Sequence, residues 1–113
     1  MNEATTVKAA VVGASGYSGE ELVRLLLAHP HVELTAVTSR QYAGRSLADV
    51  FPRFGSRSSL VFSEPNTTSL EEAAEVIFLA LPHGVAAEFA RPLIKTGRTV
   101  IDLSADFRLN DAG

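Results

Sequence analysis

Val11-Val12-Gly13-Ala14-Ser15-Gly16-Tyr17-Ser18-Gly19-Glu20-Glu21-Leu22 is the stretch whose reading decides the fold. A short apolar run leads into three glycines spaced by two residues, and an amphipathic run follows. That order predicts a strand, a tight phosphate-binding turn and a helix. One glycine lets the chain turn sharply at the strand end. Another leaves no Cβ, so a pyrophosphate can reach the backbone, and a third lets helix and strand pack closely. Free N–H groups at the helix start, and the helix dipole, then favour an anion. The spacing is Gly-x-x-Gly-x-x-Gly rather than the more familiar Gly-x-Gly-x-x-Gly. A glycine-rich loop without a ligand is the alternative, and the position between strand and helix speaks against it.

Outward from this turn, apolar runs alternate with helical patterns. Val7 to Val12 reads as the first strand, apolar on both faces after Lys8, as a buried parallel strand requires. Ser18 to about Ala28 reads as a helix with Leu22, Leu25 and Leu26 at helical spacing, widened by Val23 and Leu27 and stopped by Pro30. His29 and His31 flank that proline and read as a solvated helix end. Val32 to Ser39 is the second strand, Leu60 to Phe62 a short third, Val76 to Leu81 a central fourth and Thr99 to Leu103 a fifth. Ser69 with Glu72 gives a capping-box pattern for a short helix over Leu70 to Ala74. Val85 to Lys95 is helical, with Val85, Phe89 and Leu93 on one side, a kink or break at Pro92 and Gly97 closing it. The alternation predicts a doubly wound, mostly parallel, Rossmann-like α/β sheet of about five strands in the order 3-2-1-4-5.

Ligands of such sheets bind beyond the carboxyl ends of the strands. Ser39-Arg40 closes the second strand about 20 residues past the glycine turn, where the adenosine ribose is read. An acidic residue there would bond the 2′-hydroxyl of NAD, whereas a guanidinium fits a 2′-phosphate, so Arg40 argues for NADP(H). A solvated loop arginine is the alternative. Leu81, Pro82 and His83 follow the fourth strand and belong under the middle or the nicotinamide end of the cofactor. His83 is a candidate acid or base, although a packing role fits it better. Gln41 to Ser59 is long for a connection, with one helical turn possible over Leu47 to Phe51, and reads as a flap over the adenosine end, as a surface for another domain, or as a solvated basic loop, the last being the reading that fits Arg45, Arg53 and Arg57 individually. Ser104, Asp106 and Arg108 form a polar cluster after the fifth strand. Asp106 and Arg108 either orient a substrate carboxylate or phosphate or pair with each other as a clasp.

Composition bounds the rest. The 113 residues suffice for one domain with a core. A net charge of −3 gives no field that would recruit nucleic acid or an anionic membrane. No apolar run is long enough to span a bilayer and the polar start lacks a signal-peptide core, so the cytoplasm is the default location. There is no cysteine, which excludes disulfides, thiolate metal sites and a cysteine nucleophile within these residues.

Against this background the chain resembles the N-terminal part of the N-acetyl-γ-glutamyl-phosphate reductase family. The resemblance rests on Gly13 to Leu22, His29-Pro30, Thr38-Ser39-Arg40, Ala80-Leu81-Pro82-His83-Gly84 and Asp102-Leu103-Ser104-Ala105-Asp106-Phe107-Arg108-Leu109, and it extends from Val7 onward. It implies an enzyme of arginine biosynthesis that reduces an acyl phosphate to an aldehyde with NADPH. In that family a cysteine thiolate displaces phosphate, and hydride then reduces the thioester while a histidine serves as acid and base. By the same resemblance Gly13, Ser15, Gly16, Tyr17, Ser18 and Gly19 hold the pyrophosphate, and Ser39 and Arg40 the 2′-phosphate. Leu81 and Pro82 lie near the nicotinamide, and Ser104, Asp106 and Arg108 approach the substrate. The family's cysteine and histidine belong to a second domain. Residues 1–113 are therefore expected to be the NADP(H)-binding domain of a longer, homo-oligomeric reductase, inactive without its catalytic domain and carrying an apolar face for it. Two related enzymes compete, an acyl-phosphate reductase of lysine biosynthesis and aspartate-semialdehyde dehydrogenase. A non-catalytic NADP(H)-sensing or interaction module is a reading of another class.

Overall fold

The computed structural model describes residues 6–14, 16–55, 58–81 and 83–103. In chain order these form β1 (Val7–Val12), α1 (Tyr17–Ala28), β2 (Val32–Thr38), α2 (Leu47–Val50), a 3₁₀ turn (Pro52–Phe54), α3 (Thr67–Ala73), β3 (Val76–Leu79), α4 (His83–Lys95) and β4 (Thr99–Asp102). The strands make one sheet in the order β2-β1-β3-β4, and every pair is parallel. Side chains of β1 alternate between the two faces. Ala9 and Val11 enter a core with Val23 and Leu26 of α1, while Ala10 and Val12 enter a second core with Leu70, Ile77, Leu79, Ala86 and Leu93. Helices therefore cover both faces of a Rossmann-like sheet, as the alternating sequence pattern requires.

The described residues hold four strands rather than the five expected. Leu60 to Phe62 is not a strand. Phe62 is turned toward the preceding loop, where its N–H donates to Arg45 O (2.8 Å) and its carbonyl accepts from Gly44 N (2.8 Å). Ser63 alone bridges Thr38 in parallel, on the outer edge of β2. Pro65 has no N–H to extend that ladder. Beside β2 the expected strand is thus reduced to one bridge at the residue after it, while Val61 within it bridges Ser46 in the antiparallel sense.

Two smaller expectations also shift. Leu25 is 52% exposed, because the buried stripe of α1 centres on Gly19, Val23 and Leu26 and Leu25 lies about a third of a turn away. The cap of α3 is Asn66, whose side chain accepts from Ser69 N (3.1 Å), so Ser69 sits inside the first turn instead of before it. Asn at the N-cap satisfies the donor that the capping box would have used.

The long connection after β2 is a packed element, not a flap. Ser46 caps α2, and Leu47 and Phe54 are completely buried in the α1-side core with Phe62. Arg45 bonds Asp49 through both Nε (2.9 Å) and a terminal nitrogen (2.6 Å), which accounts for one of the loop arginines as a surface pair; Arg57 lies outside the described residues. Helix α4 continues through Pro92. The carbonyl left without its N–H partner belongs to exposed Glu88, where solvent satisfies it at little cost. Gly97 takes φ +87° and Arg98 N bonds Leu93 O (3.1 Å), which is the glycine-dependent helix stop the sequence indicated.

Candidate functional site

The site grows from the end of β1. There Ala80 N donates to Val12 O (2.9 Å), so β3 and β1 run side by side up to the glycine turn. Gly13 takes φ +83°, and a Cβ on it would lie 2.6 Å from Ala80 O and 2.8 Å from Leu81 Cδ2. Both the turn and the neighbouring strand end therefore demand glycine. The end of β2 holds the same turn from the other side. Thr38 is buried, its Oγ1 accepts from Gly13 N (3.3 Å) and its carbonyl accepts from Ala14 N (2.9 Å). Gly19 has a third role, since a Cβ there would collide with Gly13 O and approach Ala14 Cα to 2.7 Å. Gly16 differs from both. It has φ −77° and ψ 171°, and a Cβ on it would meet nothing nearer than Gly13 O at 3.8 Å. It is the glycine that faces open space at the start of α1.

That space is a cleft of about 260 Å³, lined by Gly13, Gly16, Ser39, Arg40, Gln41, Pro65, Ala80, Leu81, Val85 and Phe89. It lies between the carboxyl ends of β1, β2 and β3, at the point where the chain order of the sheet reverses. One end is polar. Ser39 is buried and its Oγ accepts from Tyr42 N (3.1 Å), while exposed Arg40 is the one charged residue among the described lining. The other end is apolar, with Ala80 and Leu81 after β3 and Val85 and Phe89 on α4. A long ligand with an anionic centre, one anionic end and one flat, weakly polar end fits this gradient.

The structure brings together Gly13, Gly16, Ser39, Arg40 and Leu81 of the residues singled out from sequence. Gly19 lies behind the turn as a packing residue. Tyr17 is 86% exposed and is not among the cleft-lining residues, and Ser18 is half-buried in the first turn of α1. Ser15, Pro82, Ser104, Asp106 and Arg108 lie outside the described residues, as does the side chain of His83. His29 and His31 are an exposed helix end, with His31 N donating to His29 Nδ1 (3.0 Å). Sequence reasoning missed Thr38, Gln41, Pro65, Val85 and Phe89. Val85 and Phe89 carried a signal, but their helical spacing reads as core, which they also serve.

Charge around the turn is balanced in pairs. The Arg24 hydrogen bond, helped by the Arg24 and Arg53 charges and opposed by desolvation, holds the Glu21 carboxyl below its ordinary value of 4.5. Glu20 instead faces Arg53 Nε at 3.4 Å.

Comparisons with known proteins agree with this geometry. A family model described as the NAD-binding domain of semialdehyde dehydrogenase matches residues 8–113. An N-acetyl-gamma-glutamyl-phosphate reductase of Akkermansia muciniphila is 57% identical over 107 residues, which is 92% of this chain and 31% of the relative. One from Desulfotalea psychrophila is 52% identical over 94% of this chain and 31% of its own length. The chain thus spans about a third of the curated relatives it matches. Among solved structures, aspartate semialdehyde dehydrogenase with NADP from Candida albicans superposes with a TM-score of 0.75 at 25% identity, covering 91% of this chain and 31% of that one. A 3-ketoreductase from Actinomadura kijaniata with NADP shares the fold, with a TM-score of 0.63 at 23% identity over 86% of this chain and 29% of that one. A glycine turn at the end of β1, a cleft at the sheet's reversal point and a family match over nearly every residue lead to one conclusion: this chain belongs to the semialdehyde dehydrogenase NAD-binding domain family.

Proposed function

We propose that this chain is the NADP(H)-binding domain of an N-acetyl-γ-glutamyl-phosphate reductase. Relatives of that name at more than 50% identity across nearly the whole chain support the enzyme. The observation that carries the cofactor preference is Arg40, the single charged residue among the described lining of the cleft, placed where the adenosine ribose is read. In this reading Gly13, Ser15, Gly16, Tyr17 and Ser18 supply the diphosphate site, chiefly through backbone N–H groups, while Gly19 lets α1 pack close behind the turn. Ser39 and Arg40 bind the 2′-phosphate. Leu81 and Pro82 form the apolar seat of the nicotinamide, and Ser104, Asp106 and Arg108 face the substrate. The cofactor, when bound, supplies hydride. The thiolate that forms the acyl-enzyme must come from a catalytic domain outside these residues, since they contain no cysteine. The whole enzyme would be a cytoplasmic homo-oligomer that reduces N-acetylglutamyl 5-phosphate to the semialdehyde with release of phosphate.

Calorimetric titration with NADPH and NADH tests the cofactor reading. NADPH should bind more tightly, and Arg40→Ala should weaken it about tenfold or more while barely changing NADH, because a charge-assisted contact to the 2′-phosphate is worth roughly 1.5–3 kcal/mol. Equal affinity for the two cofactors in the unaltered chain would overturn the preference. The TM-score of 0.75 to an aspartate semialdehyde dehydrogenase favours a second reading, a domain of that enzyme. Assays of the complete reductase in the oxidative direction, with phosphate, NADP⁺ and each semialdehyde in turn, separate the two.

A further inference from the structure

The salt bridge between Arg53 and Glu20 joins two elements that are remote in sequence. Glu20 is in the first turn of α1, and Arg53 is in the 3₁₀ turn of the packed insert after β2. Glu20 N donates to Gly16 O (2.8 Å), so this carboxylate stands one helical turn from the glycine that faces the cleft. A turn rises about 5.4 Å, and helical geometry tilts the Cβ back toward the helix start. The Glu20 charge is thus within about one screening length, ~8 Å, of an anion bound at that helix start. Its side chain is partly buried, with 28% exposed, which limits screening by solvent. The other nearby arginine is already engaged, because Arg24 Nε bonds Glu21 Oε2 (2.6 Å). Arg53 is itself held in place. Its guanidinium lies 4.9 Å from the ring centroid of Phe54, which is fully buried in the α1-side core.

We propose that Arg53 is a positioning residue for cofactor binding, acting through Glu20: it neutralises a carboxylate, beside the Glu21 that Arg24 holds, that would otherwise repel the cofactor's diphosphate at the start of α1. The proposal rests on the cofactor reading above. It gives the insert a role beyond packing, since the insert carries the compensating charge to the phosphate turn. With Arg53 half-exposed and the ions 3.4 Å apart, the pair adds little to folding stability, so its removal should be felt chiefly in binding.

Titration of NADPH into the chain and its variants tests this. Arg53→Ala should weaken NADPH about threefold at physiological ionic strength and more at low salt, while Arg53→Lys stays near the original affinity. Glu20→Gln alone should bind at least as tightly as the unaltered chain. Combining it with Arg53→Ala should restore affinity, which loss of a merely structural contact would not do. The melting midpoint of Arg53→Ala should fall by no more than about 5 °C, the loss of its contact with Phe54 included. Unchanged affinity in Arg53→Ala, weakening that Glu20→Gln fails to rescue, or weaker binding by Glu20→Gln itself would each overturn the proposal. No binding of NADPH by the unaltered chain would instead overturn the cofactor reading on which it rests.

Discussion

A methyl group on Gly19 would run into the carbonyl oxygen of Gly13, whereas on Gly16 it would meet nothing within 3.5 Å. These two glycines of one motif therefore respond differently to the same substitution. Gly19→Ala pushes a Cβ against rigid backbone on the path from β1 into α1, and overpacking of this kind costs about 1–3 kcal/mol. Its urea midpoint should fall accordingly. Gly16→Ala fits its φ of −77° without strain, so its stability should match the unaltered chain. It should nevertheless bind NADPH at least about tenfold more weakly, because in the proposed cofactor reading the methyl stands where the diphosphate approaches the backbone. Loss of stability in Gly16→Ala, or full affinity, would contradict this division of roles. The need for three glycines was legible in the sequence. Which glycine does what was not: the role of Gly13 depends on Ala80 and Leu81, brought alongside only by the pairing of β1 with β3, and those of Gly16 and Gly19 on how the turn folds back on Gly13 and Ala14.

At the scale of elements, the cap of α3 shows how local chemistry decides between two plausible starts. Asn66 Oδ1 accepts from Ser69 N, so the helix begins at Thr67 and Ser69 lies in its first turn. Asn66→Ala should destabilise the chain by about 1 kcal/mol, and Ser69→Ala by no more than a few tenths. Paired urea titrations measure both, and the reverse ranking would show that the helix starts later in solution. β1 and β3 were legible because burial in the middle of the sheet leaves continuous apolar runs, and β4, at the edge of the described sheet with Thr99 and Ile101 exposed, was legible from its run of β-branched residues. The segment at 60–62 looks equally strand-like, but its backbone partners are chosen elsewhere. Gly44, Arg45 and Leu47 take its hydrogen bonds, and Leu47 and Phe54 compete for the same core. Nothing in its own composition records that competition. Apart from the helical turn at Leu47, which the structure contains as α2, the insert is misread for the same reason. Glycines and arginines suggest a loose loop, while Leu47, Phe51, Phe54 and Phe62, spaced without helical or strand period, assemble into one aromatic and aliphatic cluster.

Across the whole molecule the sheet divides two cores, and the cleft is walled by residues from both. The glycine turn and the end of β2 belong to the side of α1 and the insert, whereas Val85 and Phe89 rise from α4 on the other side. A ligand that spans the cleft thus joins layers that otherwise meet only through the sheet. NADPH at about 100 times its dissociation constant should stabilise the folded state by about 2.7 kcal/mol. For a domain of this size that raises the melting midpoint by about 10 °C or more. Hydrogen exchange locates where this stabilisation is distributed. Amides of α1 and of α4 should slow together on adding NADPH, because sub-global opening of either layer breaks contacts with the same ligand. Slowing confined to α1 and β2 would mean that the bound cofactor is anchored at its adenosine and diphosphate only, with the nicotinamide end unheld by Val85 and Phe89. The apolar half of the cleft would then be shaped for packing against α4 rather than for the reacting ring.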